Sequence, residues 1–254
     1  MKIQYKKIKS ALQEHRIFIG GQSFDKPLAF YTDDLIIEIP ENFSSEPYCT
    51  YWGKNALRLA SLGSFSYTRS ILPSIISVGR YTSIGNGLQT LGDRHPHEWL
   101  STCPSFYSQN SGLVKVLAQD TKTPNNFHTF NKSHKPIKIG NDVWIGQNVT
   151  LAQGITIGDG AVIAGNSLIV KDVPPYTIMG GNPAKPIKPR FNESIVDALK
   201  SLKWWEYSLQ DFSDLDVTNP YIFCHQFTER VTAGKIKKYT PNKLTLSDII
   251  TQSN

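Results

Sequence analysis

Six consecutive hexads run from Ile139 to Pro174: IGNDVW, IGQNVT, LAQGIT, IGDGAV, IAGNSL and IVKDVP. An aliphatic residue opens each, at Ile139, Ile145, Leu151, Ile157, Ile163 and Ile169. A small or branched residue recurs four places on, at Val143, Val149, Ile155, Ala161, Ser167 and Val173. A helix needs apolar residues every three or four positions and an ordinary strand every two, so a beat of six fits neither as a continuous element. It fits a chain that turns a corner every six residues and winds into a prism. Short parallel strands then form the flat sides, each coil hydrogen-bonds to the next, and inward aliphatics stack into ladders. The Gly, Asn and Asp residues that follow the aliphatic position suit corners, where unusual dihedrals and local side-chain hydrogen bonds are needed.

Val78 and Ile84 continue the beat upstream, with Leu72 and Ile76 in the same frame and Ala60, Ser64, Ser66 and Ser70 following it loosely. Carried forward from Ile84, the frame reaches position 138, one short of Ile139, so an inserted excursion over residues 91–136 breaks the register. A loop that long inside a domain is usually functional or disordered. The expected organisation is a non-repetitive N-terminal segment over 1–58, coils over 59–190 interrupted by the excursion, and a C-terminal helix and tail over 191–254. Within the first segment, Arg16 to Phe24 is expected as a hairpin turning at Gly20-Gly21, and Leu35 to Ile39 alternates like a strand. Pro174-Pro175 and Gly180-Gly181-Asn182-Pro183 stop the coils by removing donors and forcing turns. Asn192 is the expected N-cap of the helix, with Glu193 in its positive first turn. Ile195, Leu199, Leu202 and Leu209 are expected on one face, and Trp204-Trp205 within the helix as packing residues.

No apolar stretch among the 254 residues approaches a membrane span, and the Lys-rich start lacks the apolar core of a signal peptide, so cytoplasmic residence is expected. Cys49, Cys103 and Cys224 show no metal or redox spacing and read as reduced structural thiols. The formal charge of +6 allows nucleic acid, an anionic membrane or a phosphorylated ligand as partner. No stretch resembles a nucleic-acid module, and the aromatics are not interleaved with basic residues. Charge gathers instead at Lys185, Lys188 and Arg190, and at Lys235, Lys237 and Lys238, the second cluster reading as a solvated face.

The excursion opens with LGDRHPHEWLST, which gathers Asp93, His95, His97, Glu98 and Trp99. Histidine is the side chain best matched to proton transfer at neutral pH, and one at the root of a loop on a rigid coil can serve as a base. The alternatives are two surface histidines, a metal pair at His95 and His97 that lacks a spaced third ligand, and a nucleophile at Ser101 that lacks an elbow motif.

These residues resemble the hexapeptide-repeat acyltransferases. The resemblance covers roughly residues 60–210 and rests on DVWIG at 142–146, KDVPP at 171–175, GGNPAKPIK at 180–188 and HP at 95–96. The ending Arg190-Phe191 followed by Trp204-Trp205 resembles the xenobiotic acetyltransferase branch, which also holds sugar O-acetyltransferases of capsule and O-antigen. The resemblance implies an all-β solenoid, a left-handed parallel β-helix. It also implies acetyl-CoA as co-substrate without a metal, and a homotrimer with sites in clefts between subunits. On the matching motif positions it makes His95 the catalytic base and Trp144 a cleft-lining residue. It sets the Gln147 backbone N–H at the thioester oxygen, Gly165 against the pantetheine arm, and Lys185 and Lys188 near the CoA phosphates. The expected acceptor is a carbohydrate hydroxyl of a surface polysaccharide or its precursor. A small xenobiotic, an amino-sugar nitrogen, and a metal-using or non-catalytic β-helix trimer are the alternatives. Some sugar acetyltransferases carry a substrate-binding Asn on a coil before the loop; here that region reads Phe65-Ser66-Tyr67, which leaves the acceptor contacts open.

Overall fold

Ile137–Ile139 pairs in parallel with Thr156–Ile157, Trp144–Ile145 with Val162–Ile163, and Thr150–Leu151 with Leu168–Ile169. Each partner lies 18 residues on, as in Ile139 with Ile157 or Trp144 with Val162, and the three pairings belong to three different sheets. Three hexads therefore complete one circuit before the chain returns above itself. The computed structural model in which this is seen describes residues 1–20, 32–52, 57–108, 111–123, 128–130 and 135–253. All twelve positions of the beat are buried, none more than 5% exposed.

The corners explain the residue types between the aliphatics. The fourth place of the first five hexads has positive φ, at Asp142, Asn148, Gly154, Gly160 and Asn166. Those are the residue types that enter the left-handed region at least cost. The second place is glycine where coils approach most closely: a Cβ on Gly146 would lie 2.6 Å from the Gly165 nitrogen, and one on Gly140 2.9 Å from the Asp159 nitrogen.

Coils upstream are shorter. Thr50 pairs with Tyr67 and Tyr67 with Ser83, offsets of 17 and 16 residues, so the six-residue frame slips at each turn. Their left-handed corner is taken by Tyr48, Phe65 and Tyr81, an unusual position for bulky residues. Phe65 stacks on Tyr48 at 5.5 Å and on Tyr81 at 4.8 Å between ring centroids. The longest sheet runs from Ala184–Pro189 through Thr177–Gly181, Val162–Ile163, Trp144–Ile145, Ser83–Ile84, Tyr67–Thr68 and Cys49–Tyr51 to Ile17–Ile19. Stacking thus begins at Ile17 rather than after residue 58, because Ile17–Ile19 pairs in parallel with Cys49–Tyr51. That parallel pairing is not a hairpin arm's; the rest of the expected hairpin, from Gly21 to Phe24, lies outside the described residues. Ile36–Glu38 is a strand, antiparallel to Lys2–Gln4.

The chain divides into two compact units, Met1–Thr90 with Pro136–Asn254, and Leu91–Lys135. In the first, Asn192 caps the helix Glu193–Leu202, its side chain accepting from the Ile195 N–H at 3.0 Å. The helix ends before the tryptophans because Lys203 turns to φ 46°; Trp204–Glu206 is a separate short 3-10 turn, and Leu209 lies in another and is half exposed. Trp205 is buried with Tyr176, Leu199, Tyr207, Phe212, Phe223 and Phe227. Two further helices, Pro220–Thr232 and Leu246–Ser253, follow. In the second unit the short 3-10 turn Pro104–Phe106 precedes the helix Gly112–Thr121, capped by the Ser111 side chain. Among the described residues of this unit, Tyr107 and Val114 are the buried hydrophobic ones. No cysteine is bridged: Cys49 is buried, which pushes its thiol up to about 12, Cys103 is exposed and Cys224 half-buried.

Candidate active site

The unit Leu91–Lys135 holds His95 and His97. His95 is exposed, and its Nδ1 lies 2.8 Å from the carbonyl oxygen of Thr102 and 2.9 Å from the hydroxyl of Tyr107. A carbonyl oxygen can only accept, so Nδ1 carries the proton, and among the described residues the Nε2 lone pair has no partner. The tautomer is thus assigned from the partners of the ring. The Tyr107 ring packs edge-on to His95, Trp99 and Phe130, so the oxygen beside Nδ1 is fixed by an aromatic cluster.

The acidic neighbour Glu98 has other partners. Glu98 pairs with Arg94 and lies 3.4 Å from the Nδ1 of His97. Its own backbone N–H, with the charges of Arg94 and His97, holds the Glu98 carboxyl below its ordinary range. The Ser101 hydroxyl accepts from the Cys103 N–H at 3.1 Å, a turn contact rather than a nucleophile's pairing with a base. Among the described residues no three His, Cys, Asp or Glu side chains are grouped to hold a metal ion. No helix among them is long and apolar enough to cross a membrane.

The other expected site residues lie on the coils. Trp144 is 58% exposed for a side chain at the centre of the longest sheet. Its row continues through Val162 and Ile178 to Lys188, each in register with the last. Strands about 4.8 Å apart place Trp144 and Lys188 roughly 14 Å from one another. Lys185 pairs with Gly180 on the same hairpin, and both lysines are exposed. Gln147 and Gly165 occupy successive coils at one corner: a Cβ on Gly165 would lie 3.1 Å from the Gln147 carbonyl oxygen, which accepts from the Asn166 N–H at 2.8 Å. The Gln147 N–H has no acceptor among the described residues. Taken by itself, the loop unit offers an imidazole nitrogen without a partner among the described residues; the coil unit offers a backbone donor likewise unpaired, an exposed indole and two cations.

Two groups beside His95 escape sequence reasoning, the Thr102 carbonyl and the Tyr107 hydroxyl. The first carries no side-chain signal, and the second stands twelve residues from its partner without a diagnostic spacing.

Residues 136–171 match the family model described as bacterial transferase hexapeptide (six repeats). A chloramphenicol acetyltransferase of Klebsiella aerogenes is 39% identical over 136 residues, 52% of this chain and 60% of that protein. A probable macrolide acetyltransferase of Lysinibacillus sphaericus is 40% identical over 139 residues, 54% of this chain and 72% of that protein. The solved maltose O-acetyltransferase of Clostridium difficile 630 aligns at 23% identity over 74% of this chain and 77% of its own, with a TM-score of 0.38, too loose a superposition to argue from. The chain spans about 60% of the length of the chloramphenicol acetyltransferases it matches.

Proposed function

The chain belongs to the hexapeptide-repeat acetyltransferases, and from that premise we propose that it transfers an acetyl group from acetyl-CoA to a hydroxyl of a carbohydrate acceptor. The observation that carries the reading is the setting of His95, whose Nδ1–H is held by the Thr102 carbonyl so that Nε2 remains a free base. In the reaction Nε2 takes the proton of the acceptor hydroxyl as that oxygen attacks the thioester carbonyl. General-base assistance of this kind contributes roughly 10²–10⁴-fold. The Gln147 N–H donates to the oxyanion that forms, an effect of roughly 10²–10³-fold for one donor. Holding both substrates together supplies the remainder. When the tetrahedral intermediate collapses, the imidazolium returns its proton to the departing CoA thiolate. Trp144 lines the acceptor side, Gly165 leaves room for the pantetheine arm, and Lys185 and Lys188 neutralise CoA phosphates.

The working form in this reading is a left-handed β-helix assembled as a homotrimer in the cytoplasm, where acetyl-CoA is supplied. A carbohydrate acceptor is the first reading because the long excursion over residues 91–136 suits a bulky acceptor. The second reading, a drug-like hydroxyl as acceptor, draws its support from the names of the chloramphenicol and macrolide acetyltransferases above. Mass spectrometry of an acceptor panel after incubation with acetyl-CoA separates the two: a gain of one acetyl on sugars and none on chloramphenicol or macrolides is expected. His95→Ala is expected to keep CoA binding while losing 10²–10⁴-fold in turnover, as estimated for a general base. Turnover at the wild-type rate in that variant removes His95 from the mechanism.

A further inference from the structure

We propose that Tyr107 is the positioning residue of the His95 base, its hydroxyl oxygen acting as a second acceptor that locks the imidazole in the tautomer with Nε2 free. The proposal rests on the reading of His95 as the base. The geometry leaves little choice of roles. Two oxygens stand within hydrogen-bond distance of one ring nitrogen, Thr102 O at 2.8 Å and Tyr107 Oη at 2.9 Å. Were Nδ1 bare, it could accept from the Tyr107 O–H, but its lone pair would then face that of the Thr102 carbonyl. With Nδ1 protonated, one N–H is shared between two acceptors, and the Tyr107 proton points elsewhere. When His95 becomes an imidazolium, both oxygens face the new positive charge, and hydrogen bonds to charged groups are the stronger kind. Tyr107 is suited to hold such a contact: it is 5% exposed, and its ring is packed edge-on against Trp99 and Phe130 as well as His95. The phenol oxygen is therefore set by packing that does not depend on substrate.

Tyr107→Phe removes the oxygen and keeps the ring. Nitrogen-15 NMR of the full chain labelled at histidine reads the tautomer directly, with His95→Ala assigning the signal among the six histidines. In the wild type Nδ1 is expected as the protonated nitrogen and Nε2 as the bare one. In Tyr107→Phe a measurable share of the opposite tautomer is expected. With it kcat should fall roughly tenfold, the worth of one hydrogen bond to a charged group, and KM for acetyl-CoA should not change. An unchanged nitrogen signature overturns the proposal, whether kcat falls or holds, since the ring would then act through packing alone. A shifted signature with unchanged kcat overturns it as well. If His95→Ala keeps wild-type turnover, the base assignment itself fails, which the NMR of Tyr107→Phe cannot bring about. If Tyr107→Phe does not fold, the same readings are taken with fluorotyrosine at position 107, which keeps the hydroxyl in place and makes it a poorer acceptor.

Discussion

Gly146 is the residue at which the coil stacking can be tested most sharply. A Cβ there would lie 2.6 Å from the Gly165 nitrogen, 2.9 Å from the Gly165 Cα and 3.0 Å from the Ile163 carbonyl oxygen, all backbone atoms. Ordinary contact begins near 3.4 Å, so the next coil has to move by about 0.8 Å at that point. Backbone held in a ladder cannot swing aside as a side chain can; the Gly146 N–H to Ile163 O and Asn166 N–H to Gln147 O bonds, both 2.8 Å, are strained together. Overpacking of this kind costs about 1–3 kcal/mol. The lower entropy of the unfolded chain with alanine returns about 0.4–1 kcal/mol. Gly146→Ala should therefore lose up to about 2.6 kcal/mol net, with a mid-range of about 1.3 kcal/mol that for a chain of this size lowers Tm by roughly 3–5 °C. Gly165→Ala, whose Cβ would stand 3.1 Å from Gln147 O, should lose less, and Gly92→Ala, with nothing within 4 Å, should change stability by no more than about 0.5 kcal/mol. Thermal melts of the three variants test the order. A Gly146→Ala protein that melts at or above the wild-type temperature would refute the claim that coil approach, rather than turn conformation, requires glycine at the second place of the hexad.

Two further outcomes follow from charge. Burial alone would raise the Glu46 carboxyl, but Arg80 at 2.6 and 3.1 Å, the Ser64 N–H and Lys243 together hold it below its ordinary range. A depressed folded pKa gives stability that is present above the unfolded value of about 4.3 and is lost as pH falls below it. Glu46→Gln should therefore cost roughly 3 kcal/mol at neutral pH, with the gap from wild type closing in melts taken below about pH 4; a gap independent of pH contradicts the assignment. Replacing both Lys185 and Lys188 by alanine should weaken CoA binding by roughly 5- to 30-fold at low salt, the worth of two exposed charge contacts, with the difference shrinking as salt rises. Titration calorimetry at two ionic strengths reads this, and equal affinity in the double variant would place the CoA phosphates elsewhere.

The regular coils were legible because their period is the structure's own: three hexads per circuit put Ile139 over Ile157 and Trp144 over Val162. The upstream coils were faint for a physical reason, since circuits of 17 and 16 residues between Thr50 and Ser83 destroy a six-residue frame while preserving the stack. Their corners hid as well, because Tyr48, Phe65 and Tyr81 stand where Gly, Asn or Asp would have marked a left-handed residue. The helix start at Asn192 carried its signal in one side chain, whereas its end at Lys203 did not, lysine being no marker of positive φ. The loop shows the same division. The HP pair singled out His95, but its Nδ1 is held by two oxygens together, the main-chain carbonyl of Thr102, which any residue at 102 would supply, and the hydroxyl of Tyr107. What distinguishes this loop chemically is therefore not the carbonyl but the hydroxyl beside it. Phenylalanine at 107 could keep the edge-on packing against Trp99 and Phe130, so packing alone does not require the oxygen that stands 2.9 Å from the base.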